Sequence, residues 1–216
     1  MQRARPRESR LQDSREWRMG NLDKTRNGGS SMRKTLLAVV GAMVVLGLVS
    51  ALSYSQQKTF QYVGVTKCKM CHQLKPRGEQ FQKWQNSAHA KAYEVLATEQ
   101  AKAVANKAGV QGDPQKAAQC LKCHVTAYDA PASAKSATYK MEEGVTCEAC
   151  HGPGSEYWKM NVMKDLHDGK IQPASVGMTV PNEQLCKTCH NEKSPTYRPF
   201  NYQQAVAQIA HPVPKQ

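Results

Sequence analysis

One five-residue pattern occurs four times in the chain: Cys68-Lys69-Met70-Cys71-His72, Cys120-Leu121-Lys122-Cys123-His124, Cys147-Glu148-Ala149-Cys150-His151 and Cys186-Lys187-Thr188-Cys189-His190. Each reads C-x-x-C-H, the signature of covalent c-type haem attachment. Two thiols three positions apart on one helical turn can add to the two vinyl groups of a porphyrin edge, and the adjacent imidazole then reaches the iron. All 8 cysteines are used in this way. Zinc ligation would explain paired thiols but not a histidine directly after each second one, and a thioredoxin-like centre would not recur four times. The pattern therefore implies four haem c groups and their iron. Thioether bonds run through Cys68, Cys71, Cys120, Cys123, Cys147, Cys150, Cys186 and Cys189, and the proximal iron ligands are His72, His124, His151 and His190.

Four macrocycles change what the rest of the chain can be. Only 3 Phe and 3 Trp occur among 216 residues, too few large apolar side chains for an ordinary core. The haems must supply the missing apolar surface, so the chain without them is not expected to fold. The spacing between motifs is unequal, with 47, 22 and 34 residues separating each histidine from the next motif, so the repeat is of the motif alone and not of a supersecondary unit.

The first 53 residues differ from the remainder. Residues 1–31 are charged, poor in aliphatics and aperiodic, which reads as a disordered basic leader. A second reading places the true start at Met32. Residues 32–55 hold the aliphatic run LLAVVGAMVVLGLVSAL behind Arg33 and Lys34, the form of a signal peptide, with small residues near Ser53 for cleavage. Left uncut, the run is near the lower length limit for a transmembrane anchor. In both cases the basic flank keeps the N-terminus inside, and everything after it is exported to the periplasm or beyond, free or held at the inner membrane.

One domain is expected over 56–216. Residues 1–53 carry 10 of the 30 basic and 4 of the 17 acidic side chains, which leaves 20 basic and 13 acidic, a net of +7. Eight haem propionates would offset most of that, so the basic composition is no nucleic-acid footprint, and no aromatic-interleaved basic stripe supports one. Residual lysines would suit acidic redox partners.

The expected fold is mainly α, with short helices and long loops wrapped around stacked haems. Helix formers run from Ser87, a natural N-cap, to the stop at Gly109. Asp113-Pro114 leads into the second motif. Gly152-Pro153-Gly154 breaks the chain, and Ser155 starts a helix through Leu166 that Gly169 ends. Asn182 caps the fourth motif, and Asn201 caps a last helix ending near His211.

Of 7 histidines, four are fixed as proximal ligands. His89, His167 and His211 remain as candidate distal iron ligands. A single histidine is ordinarily a surface or capping residue, but each iron needs a sixth ligand unless it stays open, and all three sit on or at the end of an expected helix. Three imidazoles cannot serve four irons. One site is then five-coordinate, or completed by another chain or by a thioether, for which Met141, Met160, Met163 and Met178 are available.

Three segments carry a resemblance beyond the attachment motif. Phe81-Gln-Lys-Trp84-Gln-Asn-Ser87-Ala-His89-Ala-Lys-Ala, Gly144-Val-Thr-Cys147-Glu-Ala-Cys150-His151-Gly-Pro-Gly154 and the stretch from Cys186 to His211 resemble the tetrahaem cytochrome c-554 family. That family includes the acceptor of electrons from hydroxylamine oxidoreductase in ammonia oxidisers. The resemblance implies three bis-histidine haems and an open iron at His124. It also implies His89 opposite the third haem, His167 opposite the first and His211 opposite the fourth.

The leading expectation is an electron-transfer protein with no catalytic side chain, passing single electrons between exported or membrane-side partners. One alternative is a small nitrogen-oxide reductase working at the open iron of His124. No Arg, Tyr and His constellation near that motif speaks for it, and Lys122 and Tyr128 read as surface groups. The other alternative is a subunit of a cytochrome filament, with a neighbour supplying the missing ligand.

Overall fold

The computed structural model describes residues 34–41, 43, 59–211 and 213. The chain divides after Lys58 into two units. In the first, residues 34–41 and 43 are helical and exposed. No helix among the described residues is long and apolar enough to cross a membrane. The cleavage sites expected around Ser53 lie outside the described residues.

The second unit is a chain of short helices: α1 (Val65–His72), α2 (Gln80–Gln85), α3 (Glu99–Lys107), α4 (Ala118–His124), α5 (Cys147–His151), α6 (Met160–His167), α7 (Glu183–Lys187) and α8 (Tyr202–Ile209). Pairing between extended segments among the described residues amounts to one isolated bridge, Tyr62 to Lys135. The fold is mainly α, as the sequence suggests. Its apolar core is correspondingly small: Leu96, Leu121 and Val125 form a buried cluster, against which Tyr93, Cys120, Tyr128 and Met141 pack.

Several caps follow the local sequence. Asn182 Oδ1 accepts from Leu185 N (2.9 Å) at α7, and Asn201 Oδ1 accepts from Gln204 N (3.0 Å) at α8. Two expected helices are shorter than the residue types suggest. Helix α3 starts at Glu99, capped by Thr98, whose Oγ1 accepts from Ala101 N (3.2 Å), while residues 87–93 form turns. Carbonyls in that stretch are used elsewhere: His89 O accepts from Val145 N (3.1 Å), and Ala92 O takes the His124 ring (2.5 Å). Tertiary bonds there outweigh helix propensity. Likewise Ser155 does not start a helix. Its Oγ accepts from Gln61 N (3.0 Å) and its N donates to Gln61 O (3.1 Å), so that α6 begins only at Met160.

The segment 143–154 is the hub of the domain. Helix α1 has no acidic residue in its first turn and no cap of its own. Two carboxylates from some 80 residues later satisfy its orphan donors instead. Glu143 Oε2 accepts from Val65 N (2.9 Å), and Glu148 Oε2 accepts from Gly64 N (2.8 Å). Glu148 Oε1 also accepts from Val63 N (2.8 Å) and Gly154 N (2.7 Å). At 2% exposure, Glu148 is a buried carboxylate that survives because three backbone N–H groups replace its hydration. Gly152, at φ +78°, has no room for a side chain: a Cβ there would stand 2.4 Å from Gly177 O.

Candidate haem sites and their neighbours

Each attachment motif lies on or across the end of a short helix. In α1, α4 and α5 both cysteines and the histidine are helical. In the fourth motif Cys186 and Lys187 end α7, and Cys189 and His190 follow in a turn. All eight thiols are free and half-buried. A domain with so little apolar core and eight half-buried, unbridged thiols has the character of one that needs its prosthetic groups to complete it.

The proximal imidazoles are oriented from behind. His72 Nδ1 donates to Gln80 Oε1 (3.0 Å), and His124 Nδ1 donates to Ala92 O (2.5 Å). With the proton held on Nδ1, Nε2 presents its lone pair, the tautomer that a metal requires. The His190 ring stacks on Phe200, centroid to centroid 4.8 Å at 16°. The buried Nδ1 of His151 makes no geometrically sound hydrogen bond, although the Thr179 backbone beside the ring favours its protonated form.

Two distal candidates face proximal histidines. The ring centroids of His89 and His190 are 6.0 Å apart, and those of His151 and His211 are 5.9 Å apart. At these separations the two rings of each pair could both serve as ligands of one haem iron. Burial holds His89, His151 and His211 below the usual imidazole range, with nearby imidazoles adding to the effect. A neutral ring is the ligating form.

The ring contacts set His89 beside His190 of the fourth motif and His211 beside His151 of the third, neighbours other than those the resemblance implies. The terminal segment after α8 returns to α5 rather than to the nearer motif in sequence, a matter of chain path that spacing does not encode. His167 is not brought onto His72: it ends α6 with a half-exposed side chain, Nδ1 3.6 Å from Asp168 Oδ1. Among the described residues no ring stacks on His72 or His124 in the manner of the two pairs. Of the methionines, Met141 packs on the Leu96 cluster and Met160 is exposed.

Thiols of different motifs lie near enough to perturb one another. The neighbouring Cys147, with burial, pushes the Cys68 thiol up, while Cys68 lowers Cys147. Burial and the adjacent Cys189 push Cys123 up to about 11. Cys150 is raised by burial first and then by Cys186. The thiols that perturb one another are thus those of the first and third, the third and fourth, and the fourth and second motifs.

Four thiol pairs, each followed by its proximal histidine, on a helical scaffold with little core of its own define a multihaem c-type cytochrome. The sequence model described as "Cytochrome c554 and c-prime" matches residues 67–152. Cytochrome c-554 of Nitrosomonas europaea is 31% identical over 166 residues, covering 68% of this chain and 68% of that protein. The chain belongs to the cytochrome c-554 family, whose members are tetrahaem electron-transfer proteins. The solved reduced state of cytochrome c554 from the same organism is similar at 27% identity and a TM-score of 0.44, over 70% of this chain and 79% of that one.

Sequence reasoning missed Glu148 and Glu143 as structural carboxylates. The signal was present, since a glutamate inside an attachment motif is an unusual choice beside an apolar macrocycle. Its partners at Val63, Gly64 and Gly154 could not be read from it.

Proposed function

We propose that this cytochrome carries single electrons between redox partners outside the cytoplasmic membrane, with the row first, third, fourth, second as its path. The observation that carries the reading is four attachment motifs on short helices of one small unit, with imidazoles of different segments brought together, His89 by His190 and His211 by His151. The mutual perturbation of thiols from the first and third, third and fourth, and fourth and second motifs supports the order of the path. Haem c bound at the four sites supplies reversible one-electron iron chemistry. The protein's residues fix the attachment helices against one another through Glu143 and Glu148, set the tautomers of His72 and His124, and hold neutral imidazoles at the third and fourth sites. The basic flank Arg33-Lys34 and the aliphatic run behind it support export, by cleavage or as an anchor.

Electron paramagnetic resonance of the oxidised, haem-loaded protein tests the path. Neighbouring ferric centres should give spin-coupled signals, and four magnetically isolated spectra would refute the row. A reporter enzyme active only after export, fused behind residue 60, should be active, and inactivity would refute the location.

A second reading concerns the second site alone. His124 and His72 both lack a facing imidazole among the described residues, but the second motif alone sits at the apolar cluster of Leu96, Leu121 and Val125, surroundings that suit an open iron and a small neutral ligand. Nitric oxide should then bind at the second site after reduction, and absence of binding there would remove this reading.

A further inference from the structure

The lysines on the attachment helices are not treated alike. On α4, Lys122 Nζ is 3.8 Å from Asp129 Oδ2. On α7, Lys187 Nζ is 2.6 Å from Glu183 Oε1. Helix α5 carries none. Around α1 the pattern changes: Lys67, Lys69, Lys75 and Arg77 fall within a stretch, residues 65–78, that contains no Asp or Glu. Among the described residues none of these four has a carboxylate at ion-pair distance. Lys67 and Lys69 lie instead over aromatic faces, 4.5 Å from Trp158 and 5.1 Å from Phe81. Such contacts hold the cations in place without neutralising them.

Between these charges two large apolar side chains stand in water, Met70 at 56% and Leu74 at 48% exposure. Met70 occupies an x position of the first motif, so its helix face lies opposite the one that Cys68, Cys71 and His72 present. A small apolar spot ringed by unpaired cations is suited to brief association with an acidic surface. The charges draw the partner in and orient it, and the apolar centre excludes water once it has arrived.

We propose that Lys67, Lys69, Met70, Leu74, Lys75 and Arg77 form the docking surface for the acidic face of an electron-transfer protein, which makes the first site the port of the row. The inference rests on the electron-transfer reading. The chain's own leader is a poor occupant, with 10 basic against 4 acidic residues in positions 1–53. A second copy would bring the same cations against themselves.

The test uses the haem-loaded protein and flavodoxin, a small acidic flavoprotein, as the probe. One electron passes from the flavin hydroquinone anion, which becomes the neutral semiquinone, to one ferric iron, which becomes ferrous, and no bond is made. At low salt the triple variant K69E/K75E/R77E should react about tenfold or more slowly, and the salt dependence of the rate should flatten. The charge-matched control K107E/K193E/R198E should keep the parent rate. In a separate measurement with both proteins oxidised, flavodoxin should protect Lys69 and Lys75 from acetylation, read by mass spectrometry on the unaltered chain.

Equal slowing in both variants, or protection elsewhere on the surface, would overturn the port. So would an unchanged rate in the triple variant combined with loss of its binding to vesicles of anionic phospholipid, which would make the patch a membrane surface. If dithionite cannot reduce four haems, the electron-transfer reading itself falls. If it can and the patch has no effect on the flavodoxin reaction, only the docking inference falls.

Discussion

Replacing Glu148 by alanine should destabilise the haem-loaded protein more than any other single change at a residue that bears no haem. The carboxylate is 2% exposed and accepts from Val63 N at 2.8 Å and 3.1 Å, Gly64 N at 2.8 Å and Gly154 N at 2.7 Å. Alanine leaves three buried N–H donors without a partner, each costing about 1–3 kcal/mol. It also opens a cavity the size of the lost side chain. Part of the cost is returned, because burial pushes the Glu148 carboxyl up, which means that the charged form is itself held against a desolvation penalty. A net loss of about 3–5 kcal/mol follows, against a total stability of roughly 5–15 kcal/mol for a domain of this size. Glutamine retains one carbonyl oxygen but turns an N–H₂ toward donors, so it should lose about half as much. The assay is guanidinium unfolding of the holoprotein, followed at the Soret band and by circular dichroism. If E148A unfolds within about 0.5 kcal/mol of the parent, the claim that this carboxylate joins α1 to α5 is wrong.

The remaining expectations concern ligation, acid and backbone. H89A should convert the iron at the fourth site to high spin and H211A that at the third; paramagnetic resonance of each variant, with nuclear resonance assigning the affected haem methyls, would expose the opposite pairing if it held. Neutral imidazole is the ligating form, so protons compete with iron for the rings of His89, His151 and His211: the low-spin bands of the haem-loaded protein should hold at neutral pH and be lost on acidification, which a pH titration followed in the Soret region would show. Removing the second attachment site as C120A/C123A should leave three haems per chain by pyridine haemochrome assay, and a count still at four would contradict the assignment. G152A should lose most of its haem-loaded yield, since alanine at φ +78° is strained by about 1–2 kcal/mol and its Cβ would also press on Gly177 O; parental yield would show that the turn relaxes cheaply.

Much of this protein is legible in its residues because the chemistry is local. A thiol, two intervening residues, a thiol and a histidine suffice to specify covalent haem attachment, so the number of haems and their proximal ligands need no tertiary information. Asn182 and Asn201 are of the same kind, since a cap involves only the next three residues. The helix expected from Ser87 failed for the opposite reason. Its carbonyls at His89 and Ala92 are committed to Val145 and to the His124 ring, partners that lie far along the chain.

What the tertiary structure alone decided is adjacency. Unequal spacers of 47, 22 and 34 residues leave every order of four sites open, and only the folded chain sets which motifs lie beside one another. The proximity of His89 to His190 and of His211 to His151 arises in the same way, by where the chain returns. So are the roles of Glu143 and Glu148, which are ordinary acids in sequence and become the caps of a distant helix only when α5 is brought against α1. Bond-forming groups a few residues apart carry their meaning in the sequence. Groups that meet across 60 or more residues acquire theirs from the packing, because loop closure costs little extra with length and leaves many partners in reach.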